Sequence, residues 1–386
     1  MATVPITTAE VYKHGLIIRN NGHVDRFDQT GRFVSRASAR QTVRRGLDHR
    51  MVEMSMTGTG TGTGTVRTYR DLDDVEKSTF LGHVYDVANT TMDALVEDER
   101  QTWTRQLQRW TPVSLAGDRE AFGQVYLPVS ILPPDQYHAL VVQVTHGCSY
   151  NRCLFCDFYR DRPFHIKTTD ELRRHVQAIK TFLGPRIQAR TGIFLADGNA
   201  LVIPTQKLLT FIETIRADLG EPLGNFSTFM DTFSLERKTS VELNALRTAE
   251  LTTVYVGLET GSDALRRHLD KPGSGQEATD AINRLKDSGF RVGVIVLIGA
   301  GGETFSKQHF EDTQQVLRNI RLNRDDIVFL SPFVEPDHSV YRETSVAQGI
   351  APFSSEEIQG EVHRWRRHLS TMDLKVTAYP IQQHLY

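Results

Sequence analysis

From Tyr137 to about Leu330, apolar runs of strand length alternate with amphipathic stretches of helical period. His138–Val144, Gly192–Ala196, Phe226–Met230, Thr253–Leu258, Arg291–Ile298 and Asp326–Leu330 read as strands. Asp170–Phe182, Gln206–Leu219, Ser240–Ala249, Gln276–Ser288 and Ser306–Asn319 read as helices. Strands without a polar face, separated by helices, predict a parallel sheet buried on both sides and joined by right-handed crossovers. Six such units predict an α/β fold, a partial (β/α)6 barrel; a doubly wound sheet is the competing architecture.

The chain before Tyr137 is patterned differently. GLIIRNNGHVDRF followed by TGRFVSR reads as a strand, an Asn-Gly turn and a second strand. The basic stretch Arg36–Arg50, with arginines at 36, 40, 44, 45 and 50, reads as a helix with a solvated face. Thr57–Thr65 alternates Thr and Gly, buries little, and predicts a linker; it lacks the Lys-Ser/Thr ending of a phosphate-binding loop. Val75, Phe80, Leu81, Val84, Val87 and Ala88 share a helical face that Asp71 or Asp73 caps, and a second helix covers Glu97–Trp110. Near the other end Ser354–Leu369 reads as a helix, and LKVTAYPIQQHLY as a strand or extended cover. The organisation expected is therefore a mainly helical N-terminal extension (1–56), the linker (57–65), a helical preface (66–136), the barrel (137–340) and a short C-terminal extension (341–386).

Composition narrows the functional classes. With 39% hydrophobic and 24% charged residues, the chain has the make-up of a soluble globular protein. A net charge of −2 leaves no global electrostatic footprint for nucleic acid. MATVPITTAEVYKHG lacks the apolar core of a signal peptide, and no apolar run is long enough to span a bilayer; the expected location is the cytoplasm, without membrane partners.

The three cysteines change the picture most. Cys148, Cys153 and Cys156 all fall in THGCSYNRCLFCDFYR, directly after the first barrel strand. Ligand-binding residues of parallel α/β folds collect past the C-terminal strand ends. The other strands end in ADGNAL, MDT, ETGS, IGAGGE and SPFVEPD, so small, acidic and glycine-rich segments gather on the same rim. A thiolate trio of spacing C-x4-C-x2-C suits an iron–sulfur cluster with one iron left open. Zinc is the alternative, with His146 or Asp157 as the fourth ligand that a structural zinc site requires.

These residues resemble the radical S-adenosylmethionine (SAM) superfamily over roughly residues 137 to 340. The resemblance implies a partial barrel of the radical SAM type, and a [4Fe–4S] cluster on the three cysteines whose open iron is chelated by SAM. It implies reductive cleavage of SAM to a 5′-deoxyadenosyl radical, fed by an external electron donor of the flavodoxin or ferredoxin type, and hydrogen abstraction from a substrate. It places Phe155 beside the adenine, Asp197, Gly198 and Asn199 at the SAM amino group, Glu259 and Ser262 at the ribose and methionine carboxylate, and Leu297 and Gly299 at the adenine. The commonest spacing of the family is C-x3-C-x2-C; the additional residue between Cys148 and Cys153 leaves the subfamily unassigned. No further cysteine exists for an auxiliary cluster, and no cobalamin-binding domain is recognisable, so peptide maturation, sulfur insertion and cobalamin-dependent methylation are disfavoured.

No cysteine remains to donate a hydrogen atom, and no catalytic residue is assigned. Tyr150 and Tyr159 are radical-relay candidates, with packing as the simpler role. Asp231, Glu303, Glu335 and Asp337 stand on rim loops as possible bases or substrate contacts, and Arg160 and Arg162 as anchors for a phosphate or carboxylate. The leading reading is an enzyme acting on a small cofactor-like or natural-product molecule. The second is modification of RNA through the arginines of the N-terminal segment. An electron-transfer or zinc-stabilised protein that does not cleave SAM is the reading from another class.

Overall fold

The computed structural model describes residues 7–58, 65–220, 223–235, 238–335 and 339–386. The chain forms two compact units: Met1–Val129 with Ala178–Arg190 and Gln382–Tyr386, and Ser130–Gln177 with Thr191–Ile381.

The first unit opens with β1 (Thr8–Tyr12), β2 (Gly15–Asn20), β3 (His23–Asp28), β4 (Phe33–Ala37), β5 (Gln41–Arg45), β6 (Met51–Gly58) and β7 (Thr65–Asp71). Each strand pairs with the next, giving an antiparallel meander. Then follow α1 (Asp74–Thr91), α2 (Glu97–Leu107), α3 (Pro112–Ala116) and α4 (Asp118–Gly123). The expected mainly helical extension is thus corrected to a sheet followed by helices. The Asn-Gly turn falls between β2 and β3 as read. The basic stretch Arg36–Arg50 is not a helix: Arg36 belongs to β4 and Arg44 and Arg45 to β5, and Arg36 and Arg45 face carboxylates. Arg36 donates to Asp25 at 2.7 Å, and Arg45 to the buried Asp118 at 2.7 Å, which also holds Arg32. Of the Thr/Gly stretch, Thr57 and Gly58 end β6, Thr65 begins β7, and 59–64 lie outside the described residues.

Apolar residues on one side of the meander, Leu16, Ile18, Phe27, Phe33, Val43 and Met51, are buried with Leu81, Val84, Tyr85 and Ala88 of α1. Asp73 caps α1 in a reciprocal capping box with Glu76. Val75, assigned to the apolar face, is exposed.

The second unit carries the site. It contains β8 (Leu140–Gln143), β9 (Thr145–His146), β10 (His165–Ile166), the start of α5 (Thr169–Leu183), β11 (Ile193–Ala196), α6 (Thr205–Leu219), β12 (Phe226–Met230), α7 (Ser240–Thr248) and β13 (Leu251–Glu259). It continues with α8 (Asp263–His268), α9 (Gly275–Asp287), β14 (Arg291–Ile298), α10 (Gly302–Asn319), β15 (Ile327–Pro332), α11 (Val340–Ala347), α12 (Ser355–Leu369) and β16 (Val376–Ala378). Among the described residues, one sheet of seven parallel strands runs β8-β11-β12-β13-β14-β15-β16. The six strands read from the sequence are present. The seventh comes from the C-terminal stretch and closes the far edge beside β15. Strands β8, β11 and β12 are buried at every position, the condition that erased polar alternation from their sequences. No described helix is long and apolar enough to cross a membrane.

Asp118 faces both Arg32 and Arg45, and Arg45 is 3% exposed there. Asp118→Ala strands a buried guanidinium and is expected to lower unfolding free energy by about 3–5 kcal/mol in urea titrations; a loss under about 1 kcal/mol contradicts this account.

Candidate functional site

The segment that carries the thiols is held at its neck and along its length. The two-residue ribbon of β9 and β10 brackets it. Inside this neck, the carboxylate of Asp197 accepts the Gly147 N–H at 2.9 Å, the Gln143 side-chain amide at 2.8 Å and Arg162 at 3.3 Å; the Asp197 N–H in turn donates to Thr145 Oγ1 at 3.1 Å. Asp197 is 3% exposed, and burial raises its pKa above the ordinary carboxylate value while the Gly147 and Gln143 bonds and the Arg162 charge work against that rise. Further along, Asn151 donates to the Tyr159 carbonyl, Leu154 N–H to the Leu269 carbonyl, and Arg160 to the Cys153 carbonyl at 3.0 Å. Arg160 and Arg162 therefore bind their own loop and Asp197.

The three thiols line one cleft at the C-terminal ends of the strands. Gly198 lies so close that a Cβ on it would meet the Cys148 Cβ at 3.2 Å. Among the described residues the thiols do not converge on a single ion-sized point with other donors. Burial pushes the Cys153 thiol up to about 11, with Lys271 pulling the other way and Glu259 and Cys148 adding to the rise. Burial likewise pushes Cys156 up to about 12, eased by the Phe158 N–H and reinforced by the other two thiols. Since metal binding needs thiolates, the site calls for a cationic group to hold the sulfurs deprotonated.

Opposite the thiols, β13 bulges between Gly257 and Glu259, and Glu259 has φ 62°. A Cβ on Gly257 would lie 2.6 Å from Glu259 Oε1, so a larger residue there would displace this carboxylate from its present position. Lys271 faces Glu259 at 3.7 Å. Burial raises the Glu259 pKa, opposed by the charges of Lys271 and Arg266. Arg266, 1% exposed, ties the surrounding turns together by donating to the carbonyls of Leu258, Thr260, Pro272 and Gly273 and to Thr232 Oγ1. On the next strand Ile295 and Leu297, two apart and therefore on one face, join the lining, and Phe155 packs in a cluster with Leu297, Leu269 and Phe333.

Of the residues singled out from the sequence, Cys148, Cys153, Cys156, Phe155, Gly198, Glu259 and Leu297 line this cleft, as do Tyr150, Tyr159 and Asp231. The other described candidates are not among its lining residues. Asn199 caps a short turn through the Leu201 N–H and donates to Asp231 and Ser234. Ser262 is the N-cap of α8. Gly299 abuts Ile358, and Glu335 pairs with Arg342. Glu303 is an exposed residue of the first turn of α10, and Asp337 lies outside the described residues. His146 contacts Lys167, Asp157 is exposed, and neither belongs to the lining. Lys271, Gly257 and Tyr379 are lining residues that sequence reasoning missed. The glycine before a strand-terminal acid was a usable signal for Gly257; the other two enter only through tertiary structure.

His309 supports the Leu297 edge. Its Nε2 donates to the Leu297 carbonyl at 3.1 Å, which requires Nδ1 to accept from Thr260 Oγ1 at 2.7 Å. Burial lowers its pKa to about 4.

Residues 142–317 match the family model described as Radical SAM superfamily. A comparison with curated proteins finds no match. Among solved structures, the chain is similar to coproporphyrinogen III oxidase (HemN) from Escherichia coli, described as a radical SAM enzyme, at 12% identity and TM-score 0.45 over 60% of this chain and 52% of that one. It is similar to methylornithine synthase (PylB) at 17% identity and TM-score 0.38 over 69% and 66%, respectively. It is also similar to Elp3 of the archaeon Methanocaldococcus infernus, lacking its N-terminus, at 14% identity and TM-score 0.42 over 62% and 56%. The chain thus spans between 52% and 66% of the length of these structures.

Two outcomes follow from this geometry. Asp197→Asn removes the charge facing Arg162 and sets an amide against one of three donors; unfolding free energy is expected to drop by about 3 kcal/mol, with less iron retained per chain after anaerobic reconstitution. His309 keeps a folded pKa near 4 against about 6.5 when unfolded, so the unfolded chain binds more protons between those values. Its contribution is complete above pH 6.5 and is lost as pH falls toward 4, by about 2 kcal/mol between pH 7 and pH 5. Denaturation of wild type and His309→Gln at both pH values should show the gap between them narrowing at pH 5; an unchanged gap contradicts it.

Proposed function

We infer that this chain, a member of the radical SAM superfamily through residues 142–317, is an enzyme that holds a [4Fe–4S] cluster on Cys148, Cys153 and Cys156 and binds SAM beside it. The observation carrying the reading is that these three thiols share one cleft with Phe155, Gly198, Glu259 and Leu297, contributed by the loops and ends of different strands. A cluster offers a separate iron to each of three thiolates, whereas a single structural zinc ion requires four donors about 2.0–2.3 Å from the metal. His146 and Asp157, the candidate fourth zinc ligands, are outside the lining, which further favours the cluster.

When bound, the cluster supplies the electron, received from an external donor of the flavodoxin or ferredoxin type, for reductive cleavage of SAM. The protein's own part is placement and protection. Lys271 and Glu259 offer a paired cation and anion for the zwitterionic methionine end of SAM, and Phe155 with Leu297 an apolar face for its adenine. Asp231, oriented by Asn199, is the acid nearest in role to a substrate contact. The remaining lining is largely apolar, including Ile131, Phe229, Ile295 and Phe333, and excludes water from reactive species.

The substrate is a small molecule, and the reaction a hydrogen abstraction from it. The apolar character of the cleft supports this over RNA. So does the state of the N-terminal arginines: Arg36, Arg45 and Arg50 are committed to Asp25, Asp118 and Asp71. Only weak, salt-insensitive RNA binding is then expected.

The test is anaerobic. Protein reconstituted with iron and sulfide, then given SAM and dithionite, should form 5′-deoxyadenosine, and Cys153→Ala should form none. A wild-type site that takes zinc, with no deoxyadenosine produced, removes the proposal.

A further inference from the structure

One polar group in the cleft has no use in the arrangement described above. Tyr379, immediately after β16, lines the cleft and is 0% exposed, yet its hydroxyl is buried without a hydrogen-bond partner. Its polar neighbours in the lining are engaged: Tyr150 with Asp270, Asn151 with the Tyr159 carbonyl, Asp231 with Asn199, and Glu259 with Lys271. Tyr255, packed in the same aromatic group, satisfies its hydroxyl on Asp135 and Gln136.

The position is not one of chance exposure at a loose chain end. Strand β16 pairs with β15 through Val328↔Val376 and Leu330↔Ala378, and the Tyr379 N–H continues the ladder by donating to the Leu330 carbonyl at 2.8 Å. The ring packs edge-on against Phe329 at 5.7 Å. A rigid strand end therefore carries the phenol to the cleft. Buried hydroxyls are ordinarily paired, and one that lines a cleft can take its partner from a ligand.

We propose that Tyr379 is a substrate-binding residue, whose hydroxyl donates a hydrogen bond to an acceptor oxygen or ring nitrogen on a largely apolar substrate. This rests on reading the cleft as the SAM site. Its apolar surroundings, Ile131, Phe229, Ile295, Phe333 and Ile381, take the hydrocarbon body of that substrate, and Tyr379 discriminates for the acceptor. Burial raises the phenol pKa well above its ordinary value, so the group stays a neutral donor throughout the working pH range.

Two measurements test it. On the protein without cluster or SAM, Tyr379→Phe removes an unpaired hydroxyl and keeps the ring, so the melting temperature should stay level or rise; a fall shows that the hydroxyl already has a protein partner and overturns the proposal. On cluster-loaded protein with SAM, equilibrium dialysis compares α-tetralone with tetralin, a ketone and a hydrocarbon of the same bicyclic frame. Wild type should prefer the ketone by about 3- to 10-fold, the range of one neutral hydrogen bond, and Tyr379→Phe should lose that preference while retaining tetralin affinity. Equal preference in both proteins, or no binding of either probe to the wild type, overturns it. Iron–sulfur absorbance and 5′-deoxyadenosine formation on the same wild-type preparation separate failure of this assignment from failure of the SAM reading.

Discussion

The carboxylate of Asp197 is the interaction on which the site depends. It lies at the end of the second barrel strand and grips the loop that leaves the first, with one oxygen on Gln143 and the other on Gly147 and Arg162. A buried charge is tolerated when it is met by opposite charge and hydrogen bonds, and removing one partner is far more damaging than never having had the pair. Here the partners come from β8, from the first residue after β9 and from the end of the thiol loop. Their simultaneous satisfaction sets where Cys148 begins, and the close approach of Gly198 to Cys148 is the steric side of the same constraint.

Past that anchor, the charge pattern of the cleft is incomplete as protein alone. Cys153 and Cys156 are raised by burial, and Glu259 is raised by the same cause despite Lys271 and Arg266. The cleft places three thiols beside the Glu259–Lys271 pair, and a ligand that brings positive charge to the sulfur side would hold those thiols as thiolates. The polar residues behind it are arranged as scaffolding: Arg266 gathers five acceptors, His309 sits neutral between Thr260 and Leu297, and Asn199 orients Asp231. Such fully satisfied networks rigidify a site because each member has no cheaper arrangement.

How legible this was depended on whether a signal was local. The barrel strands could be read because burial on both faces writes an uninterrupted apolar run, and the thiol loop because all three cysteines sit in it. The N-terminal meander was misread where arginines at 36, 40 and 44 imitate the four-residue spacing of a helix face; their partners, such as Asp25 for Arg36, are cross-strand neighbours that the spacing does not reveal. Val75 failed for a related reason, since a first-turn residue has the right period but no neighbour to cover it. In the site, rim position identified Asp197, Asn199 and Ser262 but not the direction of their side chains. Each is turned into a loop anchor or helix cap, roles that Asp, Asn and Ser perform through the same oxygens that would meet a ligand. Lys271 and Tyr379 carry no local signature, because their place in the cleft is created by a crossover and by a seventh strand.

That seventh strand bears on the chemistry as well as on the topology. Parallel strands exchange hydrogen bonds continuously, so pairing β16 to β15 fixes the depth of everything just beyond Ala378 to within the sheet's own regularity. Tyr379 and Ile381 thereby meet the cleft from the edge farthest along the sheet from β8, whose following loop carries the thiols. The thiol-side groups and the C-terminal groups thus reach one space from opposite ends of a single hydrogen-bonded ladder. In a cleft whose walls are mainly apolar, precision of this kind matters more than attraction. Apolar contacts hold a small molecule without orienting it, and the few polar groups set by rigid strand ends decide which of its atoms faces the reacting centre.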